Sequence, residues 1–533
     1  MDNPPKKDFV ASEILVVADP HFTNAASPSS TKPGCHTRLG QILLRKTLLR
    51  MRHLGVKPDL IVLLGDLVDD AEKTGAQEDL QTMAGEAIKS GIQVLAVPGN
   101  HDGDPVRFAQ LLGCAPGIHT VGDYVFLVFH DEPLGGNRYR RPFDQLDLPA
   151  RAAAAHPGKP IIALQHNPLH PTIRTSKYPY HLTNRAEVMA GYRDAGVCLS
   201  LSGHYHAGQA AHAVDGVTYA TAPALGEAPF RFLHVRLEGR NVQVQEHALR
   251  HDVPGLIDNH THTELSYCGT TASIADGIRI SQAMGVETIC FTEHSFQLYF
   301  EREVAWSFAW QTDPALRQAV WSTPGCGRMA AYRRLAAGFR SAHVRAGLEV
   351  ELCADGSLLL APQDADGWDL LVGAIHEIPG LQKGTTTQAE AEALFLREVE
   401  RLLAHPIDVL AHPFRIFVRK GLHPPVHLYP RLADLLADRN VAAEINFHTY
   451  QSEPEFFRHC LARGVKISLA SDAHDLAEYG EFAPHLRVLE AAGASLADLR
   501  HILLRPGSAG GWMEVDPRSQ VLAPSRKDHE KGV

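Results

Sequence analysis

Paired cysteines are what the chain most plainly lacks. Its eight cysteines are scattered over 533 residues with no C-x-x-C pair, so neither a disulfide framework nor a cysteine-based zinc finger is indicated. No apolar run approaches the ~18 residues that a membrane helix needs. Positive charge is not in excess either: 51 Lys and Arg stand against 61 Asp and Glu, a formal charge of −10. That balance argues against a broad basic surface for long nucleic acid. The first residues, Met1 to Asp8, lead into a strand-like run without a secretory apolar stretch. A cytoplasmic protein with no membrane segment is the expectation; oligomeric state is left open. With 44% hydrophobic and 21% charged residues, the composition is that of an ordinary globular protein with ample core. The length suggests about two to four domains.

What the chain has in excess is histidine, 31 residues. Neutral imidazole is the commonest protein ligand for transition metals, so spacing must decide between ligands and scattered surface histidines. Short β-rich apolar runs alternate with helix-like stretches throughout, the pattern of α/β architecture. Ile14 to Ala18, Leu60 to Leu64, Val94 to Val97, Val125 to Phe129, Ile161 to Leu164 and Leu199 to Leu201 read as buried strands. Five of these six lead into polar clusters, and the sixth ends at His130 with no matching partner. A second series begins at Gly255: Leu256–Ile257, Thr288 to Phe291, Ala346 to Val350, Leu370 to Ala374, Val409–Leu410, Val441 to Ile445 and Ile467 to Leu469. Each is followed or ended by His, Asp or Glu, and such positions mark the usual site of an open α/β sheet. No short repeat relates the two series. They read as two different domains, residues 1–250 and 251–515, with a polar tail at 516–533 and a loop at 24–38.

The polar clusters of the first series are Asp19-Pro-His21, Gly65-Asp-Leu-Val-Asp69, Gly99-Asn-His-Asp102, Gln165-His-Asn167 and Gly203-His-Tyr-His206. Oxygen and imidazole donors at strand ends suit two adjacent divalent cations, which one carboxylate can bridge. A lone Asp-x-His is more often a surface turn; five ordered pieces, each at a strand end, carry more weight. The series resembles the calcineurin-like metallophosphoesterase family, whose pattern is D-x-H, G-D-x-x-D, G-N-H-D, H, G-H-x-H. The resemblance implies an α/β sandwich holding two cations (Mn, Fe or Zn). Asp19, His21 and His206 would hold one, Asn100, His166 and His204 the other, with Asp66 bridging. His101 would assist the leaving oxygen, with Asp102 orienting its imidazole. His130 and His170 match no motif and read as ordinary residues.

The second series carries Asp258-Asn-His-Thr-His-Thr263, Thr292-Glu-His294, Gly347-Leu-Glu-Val-Glu351, Gly373-Ala-Ile-His376, Ala411-His-Pro413 and Ser471-Asp-Ala-His474. This order resembles the PHP (polymerase and histidinol phosphatase) family, a distorted seven-stranded β/α barrel with a multinuclear metal site. Barrel enzymes carry their chemistry at the carboxyl ends of the strands, where these residues fall. By that match His260, His262, Glu349 and Asp472 would bind one cation, and His376 and His412 a second, with Glu349 bridging. His294 and His474 would serve a third. The family's further Asp or His is replaced here by Tyr267 and Cys268, and of these only a thiolate is a good zinc ligand. The barrel would thus take two or three cations (Mn, Zn or Fe). Glu351, two residues beyond Glu349, is open between a ligand and a solvent-facing charge.

Residues 299–346 form an insertion holding Trp306, Trp310 and Trp321 with Arg328, Arg333, Arg334 and Arg340. It reads as a helical hairpin with its own small core, or as a lid whose aromatics stack a ring and whose arginines hold a phosphate. The function implied by both resemblances is a bifunctional metal-dependent phosphoesterase acting on small phosphate esters. It would cleave a phosphodiester (a nucleotide or cyclic nucleotide) in the N-terminal half and a phosphomonoester in the barrel. The alternatives are a single-activity phosphodiesterase with a regulatory or structural barrel, and a nuclease acting on nucleic-acid ends.

Overall fold

A computed structural model describes residues 9–25, 34–136, 138–173, 180, 182–322 and 327–507. The tail at 516–533 and most of the expected loop, 26–33, lie outside the described residues. Packing divides the chain into two compact units. The first is 1–256 together with the segments 268–287 and 471–490, and the second is 257–267, 288–470 and 491–533.

In the first unit, thirteen strands follow one another: β1 (Ser12–Val17), β2 (Leu60–Leu63), β3 (Gln93–Ala96), β4 (Gly117–Val121), β5 (Tyr124–Val128), β6 (Glu132–Gly135), β7 (Arg138–Arg140), β8 (Ile161–Leu164), β9 (Val197–Ser202), β10 (Gln209–Val214), β11 (Val217–Thr221), β12 (Arg231–Glu238) and β13 (Asn241–Ala248). They form a five-stranded sheet in the order β13-β12-β1-β2-β3 and a six-stranded sheet in the order β10-β11-β9-β8-β5-β4, with β6 and β7 paired apart. All six runs expected in this half are strands, and β1, β2 and β3 run parallel, as do β5, β8, β9 and β11.

Strand periodicity explains the layering. Ile14, Val16, Leu60 and Val62 point to the same core as Phe126, Val128, Ile162, Leu164, Leu199 and Leu201 of the other sheet, so the two sheets enclose one apolar layer. The alternate residues Val125, Leu127, Ile161 and Ala163 face a second core. That core is completed by Leu148 and Ala152 from the helix Leu148–Ala155 and by Val188 and Tyr192 from the helix Arg185–Ala195. Burial on both faces is why these strands read as continuous apolar runs rather than alternating ones. Each buried Leu, Val or Ile contributes roughly 1.5–3 kcal/mol relative to exposure.

The segment 471–490 is tied into this unit by charge. The helix Gly40–His53 presents Lys46, whose Nζ donates to the carbonyls of Ala477 (2.9 Å) and Tyr479 (2.6 Å). One turn further on, Arg50 meets the carboxylate of Glu481 through two bonds, Nε–Oε1 at 2.7 Å and Nη2–Oε2 at 2.9 Å. His251 accepts the backbone N–H of Phe482 at its Nε2 (3.0 Å) and donates its own N–H to Met284 in the segment 268–287 (2.9 Å).

The second unit is built on seven strands: β14 (Ile257–Thr261), β15 (Thr288–His294), β16 (Val344–Val350), β17 (Leu370–Gly373), β18 (Val409–Leu410), β19 (Ala442–Asn446) and β20 (Ile467–Ala470). They are parallel and neighbour one another in sequence order, and β20 returns beside β14, so the sheet is nearly closed as a barrel. These are the seven runs expected from sequence, and the architecture is that of a PHP-type β/α barrel. The helix Gln388–Leu402 between β17 and β18 starts on a capping box, in which Thr387 and Glu390 satisfy each other's backbone N–H. Among the described residues no helix is long and apolar enough to cross a membrane.

Candidate metal centres

The N-terminal cluster sits where β1, β2, β3, β8 and β9 end. Asp66, two residues beyond Leu64, is held by one oxygen: its Oδ1 accepts the backbone N–H of His101 at 2.8 Å. The other oxygen, Oδ2, stands 3.7 Å from His21 Nε2 and 3.7 Å from His166 Nε2. One carboxylate thus lies between two sets of imidazoles. On one side His21 Nε2 and His206 Nε2 are 3.1 Å apart, and Asp19 Oδ1 is 3.9 Å and 3.8 Å from them. On the other side His166 Nε2 is 3.0 Å from His204 Nδ1 and 3.2 Å from Asn100 Oδ1. The seven residues expected to hold two cations are brought together in the two expected sets.

The outer bonds fix which ring nitrogens face the cluster. His166 Nδ1 donates to the carbonyl of Leu64 (2.7 Å), and His206 Nδ1 donates to Glu227 Oε1 (2.5 Å). Both rings therefore turn the lone pair of Nε2 inward, the arrangement that metal-binding histidines use. A donor set of carboxylate, imidazole and amide oxygen fits divalent cations such as Mn, Fe or Zn. Several triads, including His21 with Asp66 and His101, and Asp66 with His166 and His204, have ligand atoms within 4.8 Å of one another.

The backbone is bent to make this cluster. Asp19 (φ 51°), His21 (46°), Asp66 (51°) and His204 (66°) are all in the left-handed region, which costs a non-glycine residue of order 1 kcal/mol or more. The motif glycines answer a close approach. A Cβ on Gly65 would lie 2.5 Å from Gly99 N and 2.7 Å from His166 Nδ1, and one on Gly99 would strike the Asp66 carboxylate.

His101 departs from expectation in how it is held. Its Nδ1 donates to the carbonyl oxygen of Asp69 at 2.6 Å, while Asp102 does not orient the ring. Instead Asp102 Oδ1 accepts the N–H of Leu67 (2.7 Å) and Val68 (3.2 Å), and Oδ2 accepts that of Gly99 (2.8 Å). Asp102 ties the Asp66 loop to the His101 loop because a buried carboxylate needs several donors and backbone N–H groups are nearest. Burial and the neighbouring Asp66 push its carboxyl up to about 7.

In the barrel, Glu349 on β16 is the hub. Its Oε2 is 3.4 Å from His260 Nε2 and 3.8 Å from His262 Nε2, and close to His294 Nδ1. Its Oε1 is 3.2 Å from His412 Nε2 and 3.5 Å from His376 Nε2. Burial opposes its charge, but His294, His376 and His260 outweigh that and hold the carboxyl well below its ordinary range. Burial, with Arg415 beside it, holds His412 well below the usual imidazole value and so keeps it neutral.

Three carboxylates that the sequence reading did not assign stand behind these rings. Glu444 Oε2 is 2.9 Å from His260 Nδ1, Glu351 Oε1 is 2.9 Å from His376 Nδ1, and Glu293 Oε1 is 3.8 Å from His262 Nδ1. The two alternatives for Glu351 are resolved by contact: it is 2% exposed and backs His376, so it is not a solvent-facing charge. Asp472 and His474 follow directly on β20, and Asp472 is 1% exposed with φ 50°. His474 Nδ1 donates to the carbonyl of Asp472 (2.7 Å). Cys268 is partly buried and not in a disulfide.

The insertion behaves chiefly as a small helical core. Trp310 is fully buried and packs with Phe296, Phe300 and Ala305. Arg333 pairs with Asp364 (3.0 Å) and Arg340 with Asp369 (3.0 Å). Arg328 lies over the Tyr267 ring and donates to the carbonyls of Gln297 and Leu265. These three arginines thus have partners within the protein. His130 and His170 stay outside both clusters; His170 stacks on His212.

The calcineurin-like phosphoesterase family matches residues 12–208, and the PHP domain matches 258–448. A cAMP/cGMP dual specificity phosphodiesterase of Mycobacterium tuberculosis is 26% identical over 38% of this chain and 63% of its own length. A Rhodococcus erythropolis protein named "Probable cyclic nucleotide phosphodiesterase" is 28% identical over 31% of this chain. This chain spans 56% of that protein's length. A dimetal phosphatase from Danio rerio has 18% identity and a TM-score of 0.35, covering 44% of this chain and 98% of its own. By domain content the chain joins a calcineurin-like phosphoesterase domain, residues 12–208, to a PHP domain, residues 258–448.

Proposed function

We propose that the chain is a bifunctional metal-dependent phosphoesterase. The N-terminal centre cleaves a small phosphodiester, a nucleotide or cyclic nucleotide, and the barrel hydrolyses a phosphomonoester. The observation that carries the first half is Asp66 Oδ2, equidistant at 3.7 Å from His21 and His166. Two relatives named for cyclic nucleotide phosphodiesterase activity support the substrate class. The second half is supported by the five histidines around Glu349 with carboxylates behind three of them.

In the first centre Asp19, His21 and His206 would hold one cation and Asn100, His166 and His204 another, with Asp66 shared between them. Bound there, two divalent cations supply positive charge against the phosphoryl oxygens and acidify water. His101 keeps one ring nitrogen on the Asp69 carbonyl, so Nε2 is the atom that carries a proton to the leaving oxygen. Asp102 holds the loops bearing Asp66 and His101 in register. In the barrel His260, His262, Glu349 and Asp472 would hold one cation and His376 and His412 a second; Glu444 and Glu351 orient His260 and His376. His294 and His474, with Cys268, would be the donors for a third.

The test is a substrate panel. The full chain loaded with Mn²⁺ is assayed on aryl phosphodiesters, cyclic nucleotides and aryl phosphomonoesters. Turnover of both ester classes is expected. Turnover of diesters alone would contradict the barrel's share, and turnover of neither would overturn the reading.

A further inference from the structure

Cys35 lies outside every motif that the first centre is built from, yet it reaches that centre. His21, Cys35 and His206 present ligand atoms that all lie within 4.8 Å of one another. Donors to one zinc ion must lie within the sum of two bonds, ~4.4 Å for a nitrogen and a sulfur. Around a tetrahedral cation such donors stand roughly 3.5 Å apart, so sharing one asks the trio to close by up to roughly 1.3 Å.

The position of Cys35 is fixed by backbone on one side and by a side chain on the other. Cys35 forms an antiparallel bridge with Glu227, and the N–H of His36 donates to the carbonyl of Gly226 (2.8 Å). The strip 225–226 is in turn laid along the first motif: Leu225 N–H donates to Ala18 (2.8 Å) and Gly226 N–H to Asp19 (3.1 Å). The His36 ring packs edge-on against Phe230, 5.1 Å between centroids. Glu227 Oε1 then takes both the His206 Nδ1–H at 2.5 Å and the Cys35 thiol at 3.6 Å. One carboxylate thus holds the Cys35 side chain beside the His206 ring.

We propose that Cys35 is a thiolate ligand to the cation held by Asp19, His21 and His206, which makes this centre selective for zinc over manganese. The inference rests on the N-terminal half of the proposed function. A thiolate is a softer donor than the carboxylate and imidazole set around it, and it shifts preference toward zinc. When the cation binds, the S–H bond breaks as the S–metal bond forms, and the proton leaves to Glu227 and water.

The test uses the full chain stripped by a chelator. On reloading with Co²⁺, the wild type should show a thiolate-to-cobalt charge-transfer band. That band should weaken or vanish in Cys35→Ser, with the far-UV signal of both proteins the same. In the wild type, iodoacetamide labelling of Cys35, read by peptide mass spectrometry, should slow by roughly tenfold or more when Zn²⁺ is added. Labelling at one rate with and without Zn²⁺ would overturn the proposal without any variant having to fold. Asp66→Ala separates the two levels: if it binds as many ions as the wild type, the metal centre itself is wrong. If it loses ions while Cys35 labels freely in the zinc-loaded wild type, the centre stands and only the thiolate ligand falls.

Discussion

His101 gives its Nδ1 proton to the carbonyl of Asp69 across 2.6 Å, so one backbone atom sets which nitrogen of this ring is available for chemistry. The ring is also near enough to His21 and Asp66 to share a cation with them, so distance alone does not separate a proton donor from a ligand. His101→Ala separates them. As a proton donor its loss should leave metal content unchanged and cut diester turnover by roughly 10²–10⁴-fold. A fall of one ion per chain by elemental analysis would make it a ligand instead.

Glu481 and Arg50 are 2% and 7% exposed. Burial works to raise the Glu481 carboxyl, but Arg50 and His53 outweigh it and hold the group well below its ordinary range. Removing one partner of such a pair strands the other charge. Glu481→Ala should therefore cost about 3–5 kcal/mol in denaturant unfolding, and Arg50→Met/Glu481→Leu markedly less. Equal costs for the two would show that the pair itself is not what stabilises this packing.

His251 gives a pH signature. Burial, then the charge of Arg50, brings its imidazole down to about 4 from 6.5, and Nε2 accepts the Phe482 N–H only when neutral. Between these values the unfolded chain binds a proton that the folded chain does not, so stability is present above pH 6.5 and is lost as pH falls toward 4. At ~1.4 kcal/mol per unit, the loss is about 3 kcal/mol. His251→Gln should flatten that part of the stability-against-pH curve. The same slope in the variant would assign the acid loss to other groups.

Cys268 stands where the PHP pattern has an Asp or His. Cys268→Ser should lower ion content by one and reduce monoester turnover if the thiolate serves a third cation beside His294 and His474. Unchanged content and turnover would make it a packing residue, the commoner fate of a free cysteine.

Much of this was legible because strands buried on both faces announce themselves: Leu60 to Leu63 and Ile161 to Leu164 have no polar residue, and the ligands follow them at once. The antiparallel hairpin β12–β13 was less visible, since Arg231–Glu238 and Asn241–Ala248 are half-polar and carry no motif. Asp102 was assigned by its place in the family's G-N-H-D motif, which says nothing of where a side chain turns; its oxygens went to the N–H groups of Leu67, Val68 and Gly99. Glu444 and Glu351 lie on or directly beyond barrel strands, so strand-end position was a usable signal for them. Cys35 had none: it meets His206 through Glu227, 192 residues away in sequence, a pairing only folding creates.

The central claim is two separate chemistries in one chain, and two variants assayed side by side test it most directly. Asp66→Ala should abolish diester turnover and spare monoester turnover, and His260→Ala/His262→Ala should do the reverse, with far-UV signal intact in both. Loss of both activities in either variant would contradict the account, because it would mean one shared centre or one half that only supports the other.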